Sequence, residues 1–290
     1  MNPPAVGGSQ ARARLHTVEQ GGDDDVDGPA GPTVVVVHGS MDRASSFGRV
    51  ARHLGDLPLV RYDRRGYGRS LSFGTTDLAG HVDDLLAVID GRDVICFGHS
   101  VGGVIALGAA ERAPDLVRGV LAFEAPAPWA PWWPHRRRVD SAEGAHGAEG
   151  AGAPAPAGGP DGVDSLQQDK DHLAEEAERF MRSMVGDRVW ERLPSRTRAD
   201  RRAEGPALAA DLASVDLDAA PVDLGALVVP IVAAAGSDTT WWHRRAAEEL
   251  AADARVGELA LVPGATHGAH LTHPGAVADL VRRAREHALR

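Results

Sequence analysis

VICFGHSVGG, residues 94–103, joins an apolar run to a cluster of glycines around one serine. Its apolar start predicts a buried strand, and residues 104–112 predict a helix, so Ser100 falls where a strand turns into a helix. Such an abrupt turn strains the backbone of its middle residue and admits only small neighbours, which explains Gly98 and Gly102. We interpret Ser100 as a nucleophile held above the edge of the sheet, facing the N–H groups that begin the following helix.

The composition is that of a globular chain with an acidic surplus. The chain has 290 residues, of which 43% are hydrophobic, enough to fill the core of a large domain. The formal net charge of −10 argues against nucleic acid as a partner, because a phosphate-binding surface needs a basic surplus. We interpret the short basic run Arg136–Arg138 as a solvated loop.

The distribution of apolar residues predicts a cytoplasmic protein that has no membrane partner. Nowhere do about 18 apolar residues follow one another, and the first ten residues lack the basic-then-apolar pattern of a signal peptide. The single cysteine, Cys96, has no second cysteine for an intramolecular disulfide. We expect it to be a small core residue.

Strand and helix patterns alternate along the chain, which predicts an α/β fold with a doubly wound, mostly parallel sheet. β-branched runs indicate strands that are buried on both faces. The predicted strands are Thr33–Val37, Leu59–Tyr62, Val94–Phe97, Gly119–Phe123, Leu227–Gly236 and Glu258–Val262. The predicted core helices are Ala44–Leu54, Leu78–Asp90, Val104–Arg112, His243–Ala252 and Pro274–Arg285.

The alternation is interrupted after the fourth of these strands, which indicates an insertion. Residues from about 141 to 165 are almost entirely Ala, Gly, Pro, Glu and Asp, and we expect them to be disordered. Helical patterns then return, and over a sheet of this kind they predict a lid above Ser100. The predicted organisation is a flexible N-terminus at 1–29 with an edge strand at Leu15–Val18, a core formed by 30–127 and 215–290, and an inserted helical lid at 128–214.

Two further loops follow predicted strands. In His38-Gly39-Ser40 the glycine lets the next backbone N–H turn inward, so we assign the N–H groups of Ser40 and Val101 as donors to an oxyanion. We give His38 a structural role. The loop Asp63–Ser70 is dense in charge and glycine, and we interpret it as a surface turn with internal ion pairs.

These motifs resemble the α/β-hydrolase fold superfamily over residues 30 to 285. The resemblance rests on His38-Gly39-Ser40, the loop Asp63–Ser70, Gly98-His99-Ser100-Val101-Gly102-Gly103 and Gly264-Ala265-Thr266-His267. In that superfamily the catalytic residues follow the order nucleophile, acid, histidine. The resemblance implies that His267 is the general base for Ser100, with His270 and His273 as neighbouring candidates.

The resemblance leaves two candidates for the acid. Relatives usually place it three residues beyond the glycine that ends the penultimate strand, which is Thr239 here, so Asp238 fits if the loop shifts by one residue. Glu124, after the strand that follows the nucleophile helix, occupies the acid position that other relatives use. Either loop could bring a carboxylate to the far nitrogen of His267.

A serine nucleophile predicts acyl transfer through an acyl-enzyme, because relatives that open epoxides or displace halide carry aspartate there. We expect a serine hydrolase with a Ser-His-acid triad, acting on a small-molecule ester, lactone or similar acyl substrate. A cofactor-free haloperoxidase or perhydrolase and a non-catalytic ligand-binding protein are the alternatives. The sequence shows no cofactor motif and no metal-ligand spacing, so neither group is expected, and it implies no particular oligomeric state.

Overall fold

A seven-stranded sheet forms the centre of the computed structural model, which describes residues 14–21, 31–134, 160–215 and 217–290. The strand order is β1-β3-β2-β4-β5-β6-β7; β1 is antiparallel to β3 and every other pair is parallel. The strands are β1 Thr17–Gln20, β2 Thr33–Val37, β3 Leu59–Tyr62, β4 Val94–His99, β5 Val117–Phe123, β6 Ile231–Gly236 and β7 Gly257–Val262. The predicted doubly wound, mostly parallel sheet is confirmed.

Helices cover both faces of this sheet. The helices are α1 Gly48–His53, α2 Leu78–Ile89, α3 Val101–Arg112, α4 Pro160–Val185, α5 Asp187–Arg192, α6 Ser195–Ala203, α7 Gly205–Val215, α8 Trp241–Asp253, α9 Ala269–Thr272 and α10 Pro274–Ala288. The described residues also form short 3-10 helices at Ala44–Phe47 and Gly68–Phe73. Among the described residues, no helix combines the length and apolarity needed to cross a bilayer.

The core lies in two layers because successive strand side chains point to opposite faces. In β2, Val35 belongs to a buried cluster that includes residues of α2, α3 and α8, whereas Val34 belongs to a second cluster, with residues of α1 and α10, on the other face. Both valines are fully buried, as expected for a central strand that is covered on both sides. The carboxyl ends of the parallel strands therefore meet at one edge of the sheet, where the loops that follow them lie side by side.

The sixth strand is shorter than predicted. The apolar run Leu227–Gly236 predicts one strand, but β6 begins only at Ile231. Pro230 has no N–H to give to the ladder, although its carbonyl accepts from Val120 N at 3.0 Å. Val228, before the proline, is 57% exposed and lies outside the sheet.

The predicted N-terminal edge strand and the predicted disordered stretch each differ in part from the structure. The edge strand predicted at Leu15–Val18 is present but shifted to β1, and the rest of the predicted N-terminal segment 1–29 falls mostly outside the described residues. In the stretch predicted to be disordered, residues 141–159 lie outside the described residues. Residues 160–165 form the first turns of α4. That part of the prediction is wrong, since these turns extend a helix that is anchored further along.

Four helices, α4 to α7, form an insertion between β5 and β6. An apolar stripe on α4, which includes Ala177 and Met181, packs with Trp190 of α5. The same cluster contains Met41 and Tyr67, which belong to loops after β2 and β3. The insertion is therefore joined to the core by apolar contacts beside the carboxyl edge of the sheet.

Most of the loop Asp63–Ser70 is buried and only Arg69 is exposed, so its interpretation as a surface turn is wrong. Arg64 and Tyr67 are fully buried, and Asp63 is only 4% exposed. Two carboxylates of the insertion bind this loop. Asp211 of α7 forms an ion pair with Arg64, and Glu204 accepts from the N–H of the loop glycine at position 68. Charge density in the sequence thus marked a contact with another segment rather than exposure to solvent.

Candidate active site

The turn from β4 to α3 has the strained geometry that its sequence predicts. Ser100 adopts φ 55° and ψ −129°, an unfavourable conformation for a residue with a side chain. A Cβ atom on Gly98 would overlap the backbone of Gly102, and a Cβ on Gly102 would overlap the Val37 carbonyl. The backbone of neighbouring segments leaves room only for glycine at both positions. The sharp turn at Ser100 depends on this close approach.

A second turn approaches Ser100 from the end of β2. A Cβ added to Gly39 would lie 2.9 Å from Ser100 Cβ, so the two turns are in close contact. Ser40 follows in this turn, while Val101 is the first residue of α3 and has no intrahelical acceptor for its N–H. The structure thus brings Ser40 and Val101 to the two segments that meet at Ser100, an arrangement that suits an oxyanion between two N–H donors.

Glu124 and His267 meet in a short side-chain contact. His267 Nδ1 lies 2.7 Å from Glu124 Oε2. Glu124 is fully buried at the end of β5, with φ 49°, and it also accepts from Gly236 N and from the Thr239 hydroxyl, each at 2.9 Å. Burial acts to raise the pKa of Glu124, but His267, the Gly236 N–H and His243 outweigh burial and hold this pKa below its usual value.

Asp238, the other candidate acid, is held elsewhere. Its carboxylate accepts from the Ser237 hydroxyl at 2.8 Å, and its backbone N–H donates to Ala265 O at 3.0 Å. In the part of the chain that the structure describes, His267 has no hydrogen bond with Asp238. Thr239, three residues beyond the glycine that ends β6, donates its hydroxyl to Glu124 at 2.9 Å.

Two other imidazoles enclose His267. The ring of His243 stacks on it at 4.7 Å with an interplanar angle of 18°, and the ring of His99 lies 4.7 Å away at 44°. His99 Nε2 is 2.9 Å from the His267 carbonyl oxygen, and His243 Nδ1 is 3.5 Å from Glu124 Oε2. Burial, followed by the charge of His267, lowers the pKa of His243 to about 4. No motif in the sequence pointed to His243.

His270 and His273, the neighbouring candidates for the base, occupy other surroundings. His270 is 5% exposed and stacks on Phe47 at 4.5 Å, with its Nε2 atom 3.3 Å from Asp42 Oδ2. His273 Nδ1 lies 2.9 Å from the Thr272 hydroxyl. Among the described residues, neither histidine has a hydrogen bond with Glu124, so of the three candidate bases the structure brings only His267 to this carboxylate.

The hydrogen-bond partners of His38 lie in its own turn and in the loop after β3, in keeping with the structural role predicted for it. Its Nδ1 atom lies 2.7 Å from Gly39 O, and its Nε2 atom accepts from Arg64 N at 2.8 Å. Burial, and then the charge of Arg64, lowers the pKa of His38 to about 4, so its ring is neutral at neutral pH. It therefore ties the turn after β2 to the loop after β3.

A buried carboxylate from the insertion reaches the same turn. Asp211 binds the Arg64 guanidinium at 2.7 and 3.0 Å and accepts from the Tyr67 hydroxyl at 2.6 Å and the Ser40 hydroxyl at 2.7 Å. His81 Nε2 lies 3.1 Å from Asp211 Oδ1. Burial acts to raise the pKa of Asp211, but the Arg64 charge and the bond from His81 hold it well below its usual value. Sequence reasoning missed Asp211 because its partners are distant along the chain.

Side chains of the metal-ligating type also gather here, although their spacing in the sequence does not indicate a site. Within each of two groups of three, the potential ligand atoms all lie within 4.8 Å of one another. Each group combines residues from separate loops, which is why no short motif marks them. The groups are Asp42, His99 and His270, and Glu124, His243 and His267.

The family model described as the alpha/beta hydrolase family matches residues 34–280, which contain every segment that forms this site. The chain belongs to the alpha/beta hydrolase family. Among curated relatives of this α/β hydrolase, the lipase LipV of Mycobacterium tuberculosis is 32% identical over 101 residues, which are 33% of this chain and 39% of LipV. The hydrolase YraK of Bacillus subtilis is 36% identical over 102 residues, 33% of this chain and 38% of YraK. The chain thus matches about two fifths of the length of these relatives.

Solved structures share the fold over nearly the whole chain. A hydrolase from Pseudomonas aeruginosa PA01 has a TM-score of 0.65 at 19% identity, with 93% of each chain covered. An esterase from Thermogutta terrifontis has a TM-score of 0.60 at 18% identity, covering 93% of this chain and 92% of the esterase. BpoC of Mycobacterium tuberculosis, provisionally named a non-heme bromoperoxidase, has a TM-score of 0.58 at 17% identity, covering 95% and 97%.

Proposed function

We propose that this α/β hydrolase is a serine hydrolase that cleaves an ester, a lactone or a similar acyl substrate through an acyl-enzyme. The observation that carries the proposal is the 2.7 Å contact between His267 Nδ1 and Glu124 Oε2 beside the strained turn that holds Ser100. A serine hydroxyl, an imidazole and a carboxylate are the three groups that this form of acyl transfer requires. The names of LipV and of the Thermogutta terrifontis esterase support ester substrates.

In the first half of the proposed reaction, Ser100 Oγ attacks the acyl carbonyl carbon and His267 Nε2 accepts the hydroxyl proton. Glu124 accepts the Nδ1–H of His267, which leaves Nε2 unprotonated toward the serine and stabilises the imidazolium once it forms. The N–H groups of Ser40 and Val101 donate to the carbonyl oxygen as it gains negative charge.

The acyl-enzyme then forms and is hydrolysed to release the acid. When the tetrahedral intermediate collapses, its bond to the leaving oxygen breaks, and His267 returns the proton to that oxygen. A water molecule then attacks the acyl-enzyme while His267 accepts one of its protons, and Ser100 leaves with the proton restored. The low pKa of Glu124 supports this cycle, since the carboxylate is ionised when the imidazolium appears.

The helical insertion α4 to α7 is assigned the role of a lid. It packs beside the loops after β2 and β3, and its Asp211 binds the hydroxyl of Ser40, whose N–H is assigned to the oxyanion site. A lid tied down through a buried carboxylate has little freedom near that contact, because separation would break the Asp211–Arg64 ion pair and the hydrogen bonds from Ser40 and Tyr67. Substrate entry is therefore expected away from α7.

The decisive experiment combines covalent labelling with kinetics. The purified protein is treated with a fluorophosphonate, the modified peptide is mapped, and hydrolysis of aryl esters of increasing acyl length is measured. We expect labelling at Ser100, which Ser100→Ala abolishes and which the exposed-serine control Ser45→Ala leaves intact. A folded wild-type protein that is neither labelled nor active on any ester would contradict the proposal and favour a ligand-binding role.

A perhydrolase is the second candidate, and the structural likeness to BpoC is the observation that raises it. The same residues would serve, with hydrogen peroxide in place of water as the nucleophile that attacks the acyl-enzyme. Peroxide-dependent halogenation in acetate buffer is compared with ester hydrolysis on one preparation. Halogenation that exceeds hydrolysis and disappears in Ser100→Ala would assign the perhydrolase reaction.

A further inference from the structure

A second cluster of ligand-type side chains lies directly behind the candidate active site. Asp42 follows the turn that carries Ser40, His99 precedes Ser100, and His270 lies at the start of α9. The side chains of Asp42, His99 and His270 are 14%, 6% and 5% exposed. His270 Nε2 is 3.3 Å and His99 Nδ1 is 4.0 Å from the same oxygen of Asp42.

Among the described residues, the imidazole nitrogens that face this carboxylate form no hydrogen bond, although His270 Nε2 makes an ion-pair contact with Asp42 Oδ2 at 3.3 Å. His99 Nδ1 and both ring nitrogens of His270 are buried and have no hydrogen-bond partner among the described residues. Buried polar atoms without partners cost free energy, and folded proteins rarely keep three of them together. His99 Nδ1 and His270 Nε2 therefore have unused binding capacity beside the same oxygen of Asp42.

The tautomer of His99 makes this capacity specific. His99 Nε2 lies 2.9 Å from the His267 carbonyl oxygen, and a carbonyl can only accept, so Nε2 carries the proton. In the neutral ring Nδ1 is then a lone pair, and it faces the Asp42 carboxylate, which is also an acceptor. Two acceptors that face each other in a buried site attract a cation between them. A histidine whose other nitrogen donates to a backbone carbonyl is the usual arrangement of a metal ligand.

We propose that Asp42, His99 and His270 bind a divalent transition-metal ion of the Zn²⁺ class. Metal–ligand distances of about 2.0 to 2.1 Å in a tetrahedron place neighbouring ligand atoms roughly 3.4 Å apart. The separations of 3.3 and 4.0 Å from Asp42 Oδ2 lie close to this spacing. Two imidazoles and one carboxylate are a ligand set that Zn²⁺ and, more weakly, Co²⁺ accept.

The other ligand-type group competes poorly for such an ion because its atoms already have partners. His267 Nδ1 and the Thr239 hydroxyl both bind Glu124 Oε2, and His243 Nδ1 lies 3.0 Å from the Thr240 hydroxyl. A metal ion there would have to displace these bonds. His38 is excluded for the same reason, since both of its ring nitrogens are engaged.

The ion would serve a structural role. Its three ligands belong to the loops that carry Ser40, Ser100 and His267, so one ion would fix the relative positions of all three loops. The proposal does not depend on the proposed acyl transfer, because metal binding and thermal stability are measured without a substrate. The chemistry at Ser100 needs no step at the metal.

The test is a Zn²⁺ titration of the full-length protein after removal of bound metal with a chelator. Calorimetry and elemental analysis after desalting report the stoichiometry, and thermal unfolding reports stabilisation. We expect one equivalent of Zn²⁺ and a rise in Tm of several degrees, both lost in Asp42→Asn and in His270→Gln. The matched control is His243→Gln, which belongs to the other group and is expected to keep the ion.

Co²⁺ serves as a spectroscopic probe of the same site. We expect visible absorption bands of four- or five-coordinate Co²⁺ with the wild-type protein and with His243→Gln, and none with His270→Gln. Circular dichroism in chelator establishes that each variant is folded. A folded wild-type protein that takes up no Zn²⁺, or one whose uptake survives both Asp42→Asn and His270→Gln, would overturn the proposal.

Discussion

The hydroxyl of Ser40 donates to the carboxylate of Asp211 at 2.7 Å, which joins the turn after β2 to helix α7 of the insertion. The same carboxylate oxygen also binds Arg64, and both partners of this ion pair are fully buried. The position of the Ser40 N–H, assigned to the oxyanion site, is thus coupled to a charge on a segment 171 residues away. A change at this contact is therefore expected to affect stability and, in the proposed reaction, catalysis.

Replacing Asp211 by asparagine is expected to destabilise the protein strongly. The variant leaves the Arg64 guanidinium buried without a counter-charge, which costs about 3 to 5 kcal/mol of unfolding free energy. Urea unfolding at neutral pH measures the loss. The control is Asp83→Asn, whose ion pair with Arg112 is exposed and is worth about 1 kcal/mol or less. Equal losses in the two variants would contradict the assigned role of Asp211.

Ser40→Ala separates the hydroxyl from the backbone N–H. The variant keeps the N–H that is assigned to the oxyanion but loses the bond to Asp211, so we expect about 1 kcal/mol less stability and a reduction in kcat of less than tenfold. Steady-state kinetics and urea unfolding on one preparation provide both values. A loss of kcat by a factor of about a thousand, with stability unchanged, would place the hydroxyl itself in the reaction.

The two candidate acids make opposite kinetic predictions. Glu124→Gln removes the charge beside His267 and is expected to lower kcat by roughly 10³- to 10⁴-fold, because the imidazolium loses its stabilising partner. Asp238→Asn, whose carboxylate binds Ser237 instead, is expected to change kcat less than threefold, on the order of a surface substitution. Ester hydrolysis at saturating substrate compares them directly, and the reverse ranking would exchange their roles.

The stability of the fold is expected to depend on pH through His243. Burial and the charge of His267 lower its pKa in the folded protein to about 4, against 6.5 for the free side chain. Between these values the unfolded chain takes up a proton that the folded protein refuses. The contribution, about 3 kcal/mol at most, is therefore fully present above pH 6.5 and is lost as the pH falls toward 4.

Urea unfolding at four values between pH 7 and pH 4 tests this dependence. The variant His243→Gln is expected to take up about one proton fewer on unfolding across this range, so its stability falls less steeply. The control Ser45→Ala replaces an exposed side chain that does not titrate and should keep the wild-type slope. An unchanged slope in His243→Gln would show that the ring is already protonated in the folded protein near pH 6.

Cys96 provides a test of the core. The thiol is fully buried in β4, and burial raises its pKa to about 12. We expect no reaction with a thiol reagent in the native protein and reaction with one equivalent in denaturant. Native-state labelling at a rate independent of denaturant would mean that β4 is accessible to solvent.

The elements that the sequence predicted well are those whose causes are local. The run Thr33–Val37 is β-branched throughout and forms β2 over the same residues. The strained turn at Ser100 was also predictable, because it needs only a strand, a helix and small neighbours within ten residues. The family could be recognised from such local motifs for the same reason.

Only the tertiary structure decided which distant side chains meet. Glu124 and His267 are 143 residues apart, and Asp211 and Arg64 are 147 apart, so no spacing rule joins them. The sequence by itself determined the sheet, the strained turn at Ser100 and a short set of candidate site residues. Backbone geometry and apolar patterning act over a few residues, so these features have local causes. The choice of Glu124 over Asp238 as the partner of His267 required the packed sheet, which places the ends of β5, β6 and β7 side by side.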